Sequence, residues 1–123
     1  MGSGCACVGL RLDVAKGWHI NAHVLSEASR GALTETDVIF EEGPGFVVSG
    51  RRYPKGSVYE SDFSDGPLDV YDGRVEASFD LKAADNLRPG SYELRGRLKV
   101  QACNEEFCLG PAEKPVVWSI PVE

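Results

Sequence analysis

The chain has 123 residues, enough for one domain with a real core and too few for two. Its formal net charge of −6 argues against a nucleic-acid binder, which needs a basic face, and disfavours attraction to an anionic membrane surface, leaving solubility and basic partners as what the charge serves. No apolar run approaches the ~20 residues a membrane-crossing helix requires.

The opening MGSG carries neither the basic nor the apolar segment of a secretion signal. It reads as an expression remnant that is silent on compartment, with residues 5–123 as a single domain. In CACVGLRLDV, Ala6, Val8, Leu10, Leu12 and Val14 share one face, and Cys5, Cys7, Arg11 and Asp13 the other. Further strands are expected around Gly17–Leu25, Asp37–Phe40, Phe46–Val48, Val58–Glu60 and Leu68–Tyr71. Turn signals stand at Glu42–Gly45, Tyr53–Gly56, Ser64–Pro67 and Asp72–Gly73. RVEASFDLKA then points Val75, Ala77, Phe79 and Leu81 one way. After a turn at Asn86–Gly90, SYELRGRLKVQAC sets Tyr92, Leu94, Leu98, Val100 and Ala102 against Glu93, Arg95, Arg97, Lys99, Gln101 and Cys103. In VVWSIPV, Val116, Trp118, Ile120 and Val122 form a last apolar face. This period of two suits strands with one face buried and one wet, and no long 3.6-residue period competes with it. About eight or nine short strands at this spacing predict an all-β, immunoglobulin-like sandwich with little helix.

Four cysteines, Cys5, Cys7, Cys103 and Cys108, allow three full pairings. An even count in a small, loop-rich chain fits an oxidising compartment. Strand alternation places Cys103 on the wet face, and Asn104, Glu105 and Glu106 turn the chain toward Cys108. Two thiols so placed can bridge if their Cα atoms come within ~7 Å. Closing a loop this short is worth only ~2 kcal/mol in the chain-entropy account, and an accessible bridge is open to exchange. The residues alone leave a turn staple and a redox pair both standing. A zinc site could draw on CxC, CxxxxC, His19 and His23, the histidines sharing one strand face, yet no pattern ties the histidines to the cysteines. Both histidines read as polar residues on a solvated strand, and no metal or other cofactor is expected. Cys5 and Cys7 read as incidental thiols, or one of them as bridged to a distant strand. No Ser–His–Asp grouping, GxGxxG or P-loop pattern is present.

GWHINAH (17–23), RRYPKG (51–56), LDVYDGRV (68–75) and VQACNEEFCLGP (100–111), in that order, resemble the N-terminal periplasmic domain of the DsbD thiol:disulfide interchange family. The similarity runs from about Val8 to Val122. Its most specific element is a strand ending in Gln-x-Cys, a short loop, a second Cys, then proline and a final apolar strand. The resemblance implies an immunoglobulin-like sandwich acting as a protein-disulfide reductase module, with Cys103 and Cys108 as the redox pair. It implies that Cys108 forms the mixed disulfide and Cys103 resolves it. A thioredoxin-like domain, itself fed by a membrane domain, would supply two electrons. The acceptors would be periplasmic thiol oxidoreductases such as disulfide isomerases and cytochrome c maturation factors. It also implies a shielding cap, for which ESDF (60–63) supplies Phe63. The chain departs from the family at Gly110, where proline is common, at Val100, where tyrosine is frequent, and in a shorter intercysteine loop. Those departures bear on partner identity more than on chemistry, and the chain is either a stand-alone relative or part of a longer membrane protein. Glu105 and Glu106, if close to the sulfurs, should disfavour a thiolate and make the pair slow toward small thiols. The competing function is a non-catalytic binding sandwich with a structural Cys103–Cys108 turn disulfide.

Overall fold

The computed structural model describes residues 5–25, 33–41, 45–60 and 67–123. Ten strands run through them: β1 (Cys5–Asp13), β2 (His19–Asn21), β3 (Asp37–Phe40), β4 (Phe46–Arg52), β5 (Ser57–Tyr59), β6 (Leu68–Tyr71), β7 (Arg74–Ala83), β8 (Gly90–Val100), β9 (Ala102–Cys103) and β10 (Ala112–Val122). All pairings are antiparallel. The sheets run β1-β7-β4, β10-β8-β3 and β5-β6-β2-β9. The all-β, immunoglobulin-like expectation holds. β3 and β6 fall where the residues predicted them, β2 is shorter than expected, and β4 continues through Arg52.

Alternation builds the main core. Val75, Phe79 and Leu81 of β7 are buried while Arg74 and Glu76 are exposed. Phe79 packs with Val38 and Leu98, joined by Val8, Leu10, Phe40 and Trp118 from both long sheets and by Tyr53 from the loop after β4. Phe40 meets Phe79 edge-on at 5.0 Å between ring centroids. The Trp118 indole N–H donates to the Gly9 carbonyl at 2.9 Å, so β10 is tied to β1 while its ring stays in the apolar layer. Leu81, Leu94 and Ile120 extend the core toward the far end.

The third sheet, of short strands, has its own cluster of Ile20, Ala22, Tyr71 and Val75, against which Leu12, Val14, Val100 and Ala102 pack. Tyr71 donates its hydroxyl to the Pro54 carbonyl at 2.7 Å and accepts the His23 N–H at 3.1 Å, which anchors the 53–56 loop over β2 and β6. Gly56 is required there, because a Cβ would lie 2.8 Å from the Ala22 Cβ and 3.2 Å from Asp69. Gly73, at φ +61°, takes the left-handed turn from β6 into β7.

One departure from alternation decides the site. β8 belongs to the sheet with β10 and β3, whereas β9 joins β2 in the third sheet, and the chain changes sheets at Gln101. Buried positions fall on even numbers up to Leu98 and on odd numbers at Gln101 and Cys103. Cys103 is therefore not on a wet face: it is 1% exposed. Alternation within one strand cannot register a change of sheet, which leaves the backbone extended while reversing which face is covered.

Candidate functional site

Cys103 and Cys108 stand opposite each other in a small hairpin. The Asn104 N–H donates to the Phe107 carbonyl and the Leu109 N–H to the Ala102 carbonyl, both at 2.9 Å. These bonds bracket the cysteines, so the pair occupies the non-hydrogen-bonded position, where opposed Cα atoms come closest. Their Cα atoms are 4.0 Å apart and a disulfide joins them. The turn owes its shape to Asn104, whose Oδ1 accepts the N–H groups of Glu106 and Phe107 at 2.8 Å each. This is the local side-chain bonding that suits asparagine to turns.

The two sulfurs have unequal surroundings. Cys103 is buried on β9 against β2, whereas Cys108 is half-buried on the returning strand. Phe107 and Leu109, each 48% exposed, flank Cys108. Phe107 meets the Trp18 ring edge-on at 5.8 Å. Glu105 and Glu106 are exposed at the hairpin tip. Phe63, assigned above to a cap, lies outside the described residues.

Gln101 is the structural hub, and the sequence reading gave it no role beyond its place in the motif. Its Oε1 accepts the Thr34 N–H at 2.7 Å and the Asn21 side-chain amide at 3.4 Å. Its Nε2 donates to the Leu109 carbonyl at 3.1 Å. The same buried side chain thus holds the returning strand of the hairpin and satisfies the segment leading to β3. Its signals in the sequence are its place in the Gln-x-Cys motif and a polar side chain between Val100 and Ala102.

His19 overturns the reading of a solvated histidine untied to the cysteines. It is 5% exposed and pairs directly with Cys103 across β2 and β9. Its ring lies 4.3 Å from that of Tyr59, and its Nε2 is buried with no hydrogen-bond partner among the described residues. Burial holds its pKa below the ordinary 6.5, with the charge of Asp72 opposing. His23 lies beyond β2 on a bend, half-buried, its ring stacked 3.8 Å from Tyr53. The His23 Nδ1 is 2.9 Å from the Thr36 carbonyl, which makes Nδ1 the protonated nitrogen. Burial pushes the Tyr53 hydroxyl up to about 12, where it receives the Val38 N–H and donates to Asp37. Among the described residues no group of three or more His, Cys, Asp or Glu side chains gathers as a metal site would require. Cys7 is an exposed free thiol on β1, 3.5 Å from an Arg52 guanidinium nitrogen and in a different sheet from β9.

Architecture and site together define an all-β domain of immunoglobulin type with a bridged cysteine hairpin at the edge of its short-stranded sheet. Residues 5–118 match the family described as "Thiol:disulfide interchange protein DsbD, N-terminal", and the chain belongs to that family. The fold is similar to the crystal structure of the Neisseria meningitidis DsbD N-terminal domain in its reduced form. That match has a TM-score of 0.54 at 16% identity, over 93% of this chain and 77% of that one. At such identity the likeness concerns the fold alone. No curated protein sequence matches the chain.

Proposed function

We propose that the chain is an extracytoplasmic thiol–disulfide exchange module that passes two electrons through Cys103 and Cys108. Electrons enter from a thioredoxin-like domain or membrane redox donor and leave to periplasmic thiol oxidoreductases. Family membership supports exchange in general. The observation that carries the specific reading is the inequality of the two sulfurs: one buried beneath its strand neighbours, the other half-buried between exposed apolar side chains.

In the reduced state the Cys108 thiolate attacks a partner disulfide, and one partner sulfur leaves as thiolate and takes up a proton. Cys103 then attacks the Cys108 sulfur, forms the Cys103–Cys108 bond and releases the second partner thiolate. Two electrons move to the partner, and the pair ends as the disulfide. Recharging runs the same steps backward from a donor dithiol. Phe107 and Leu109 offer the apolar contact that brings a partner sulfur to Cys108. Glu105 and Glu106 weaken the thiolate before docking, and Phe63 shields the pair from small thiols.

The test is trapping. Cys103→Ala leaves Cys108 without a resolving partner and should accumulate a stable mixed disulfide with an envelope thiol oxidoreductase. Cys108→Ala, which keeps only the buried sulfur, should trap little. If the folded Cys103→Ala variant traps no oxidoreductase, the pair is a turn staple and the domain a binding module.

A further inference from the structure

The structure assigns His19 a part in the exchange: we propose that its Nε2 accepts the S–H of Cys103 once the disulfide is opened and takes that proton when Cys103 resolves the mixed disulfide. This rests on the redox reading above. His19 opposes Cys103 across β2 and β9, and Cys103 opposes Cys108 across the hairpin. Directly opposed residues project from the same face of a sheet with Cβ atoms roughly 4.5–5.5 Å apart. Imidazole, buried sulfur and half-buried sulfur therefore form one row.

The second observation is the orphan nitrogen. Buried polar atoms are ordinarily paired, yet the His19 Nε2 has no partner among the described residues in the disulfide form. In that form Cys103 has no proton to donate. Reduction creates a thiol on the directly opposed residue and supplies the missing donor. The groups facing the ring suit this task. Tyr59 covers one side at 4.3 Å, and Lys16, Asp72 and Glu105 line the same groove of about 540 Å³ with His19. Burial keeps the resting imidazole neutral and able to accept, while Asp72 favours the imidazolium once it forms.

The step balances. With Cys108 in a mixed disulfide, the Cys103 S–H gives its proton to Nε2. The thiolate electron pair forms the Cys103–Cys108 bond, the Cys108–partner bond breaks, and its electron pair departs on the partner sulfur. That sulfur takes a proton from solvent, and His19 returns its own to solvent. His19 thus acts on resolution rather than on the first attack.

The experiment uses the reduced full chain and 5,5′-dithiobis(2-nitrobenzoate). Attack by Cys108 releases one thionitrobenzoate and resolution by Cys103 releases a second. Cys7→Ser and Cys5→Ser in all samples remove the other thiols. His19→Phe and His19→Gln should slow the second release by at least about tenfold at neutral pH and raise its pH midpoint, leaving the first within about twofold. In the unsubstituted chain, reduction should shift the His19 Nε2 nitrogen resonance, a readout that survives if either variant fails to fold. Unchanged second-phase kinetics in folded variants, or an unmoved resonance, overturns the role of His19 and leaves the redox pair intact. A pair that can be reduced only with loss of the fold overturns the exchange reading itself, and this role with it.

Discussion

Gln101 is buried and carries bonds to three separate segments: Thr34 before β3, Asn21 in β2 and Leu109 on the return of the hairpin. Truncating it removes the partner of the Thr34 N–H and of the Leu109 carbonyl, two part-buried bonds worth about 1 kcal/mol each. Gln101→Ala should therefore lower the urea unfolding midpoint. It should also speed hydrogen exchange at the Leu109 amide, which closes the hairpin next to Cys108. The cysteines themselves yield a second prediction. In the reduced chain an alkylating reagent should modify Cys108 before Cys103 by at least about tenfold, because only the former is reachable. Peptide mass analysis after timed quenching reads the order directly, and equal rates would contradict the inequality on which the mechanism rests.

At the scale of elements, the long strands were legible and the junction between sheets was not. Val75, Phe79, Leu81, Leu94, Leu98 and Ile120 alternate in the sequence and are the buried apolar side chains of β7, β8 and β10. Each strand covers one face against an opposite sheet, so period two predicts it from local sequence. The exposure of Cys103 was misread because β8 and β9 are one extended run that changes partners at Gln101, and nothing local marks the change. The burial of His19 was misread for a related reason. β2 is only His19–Asn21, all three buried, since β6 and β9 flank it on both sides and the third sheet packs its own cluster. The four motif blocks carried more than alternation could. They supply β2, β6 and β9 of the short-stranded sheet that carries the cysteine hairpin, and the 53–56 loop bonded to Tyr71 of that sheet. Within that hairpin, Asn104 is the residue to test. Asn104→Ala removes the acceptor for two amides and should cost about 1 kcal/mol per bond lost, seen as faster exchange at Glu106 and Phe107.

For the whole molecule, stability resides in the sandwich and the proposed exchange in its third sheet. Phe79 is fully buried between the long sheets, and Phe79→Ala should destabilise by roughly 3–5 kcal/mol in equilibrium unfolding. Opening the Cys103–Cys108 bridge frees a loop of about six residues, worth only ~2 kcal/mol. Acid sensitivity follows from His19. Its folded-state pKa is lowered by burial below 6.5, so the unfolded chain takes the proton first. The contribution is full above about pH 6.5 and is lost as pH falls from there toward the folded-state value. Glu35 and Asp80, whose carboxyls are held below their ordinary 4.5 and 3.8, titrate mainly below pH 5. Urea midpoints at pH 7.5 and 5 should fall further for the unsubstituted chain than for His19→Gln. The central claim is that Cys103 and Cys108 exchange electrons instead of stapling a turn, and the reduction potential of the pair tests it most directly. Equilibrated against dithiol and glutathione buffers with thermal unfolding read in both states, the pair should titrate above about −300 mV while the domain stays folded. A potential below that value, with reduction unfolding the sandwich, would contradict the account.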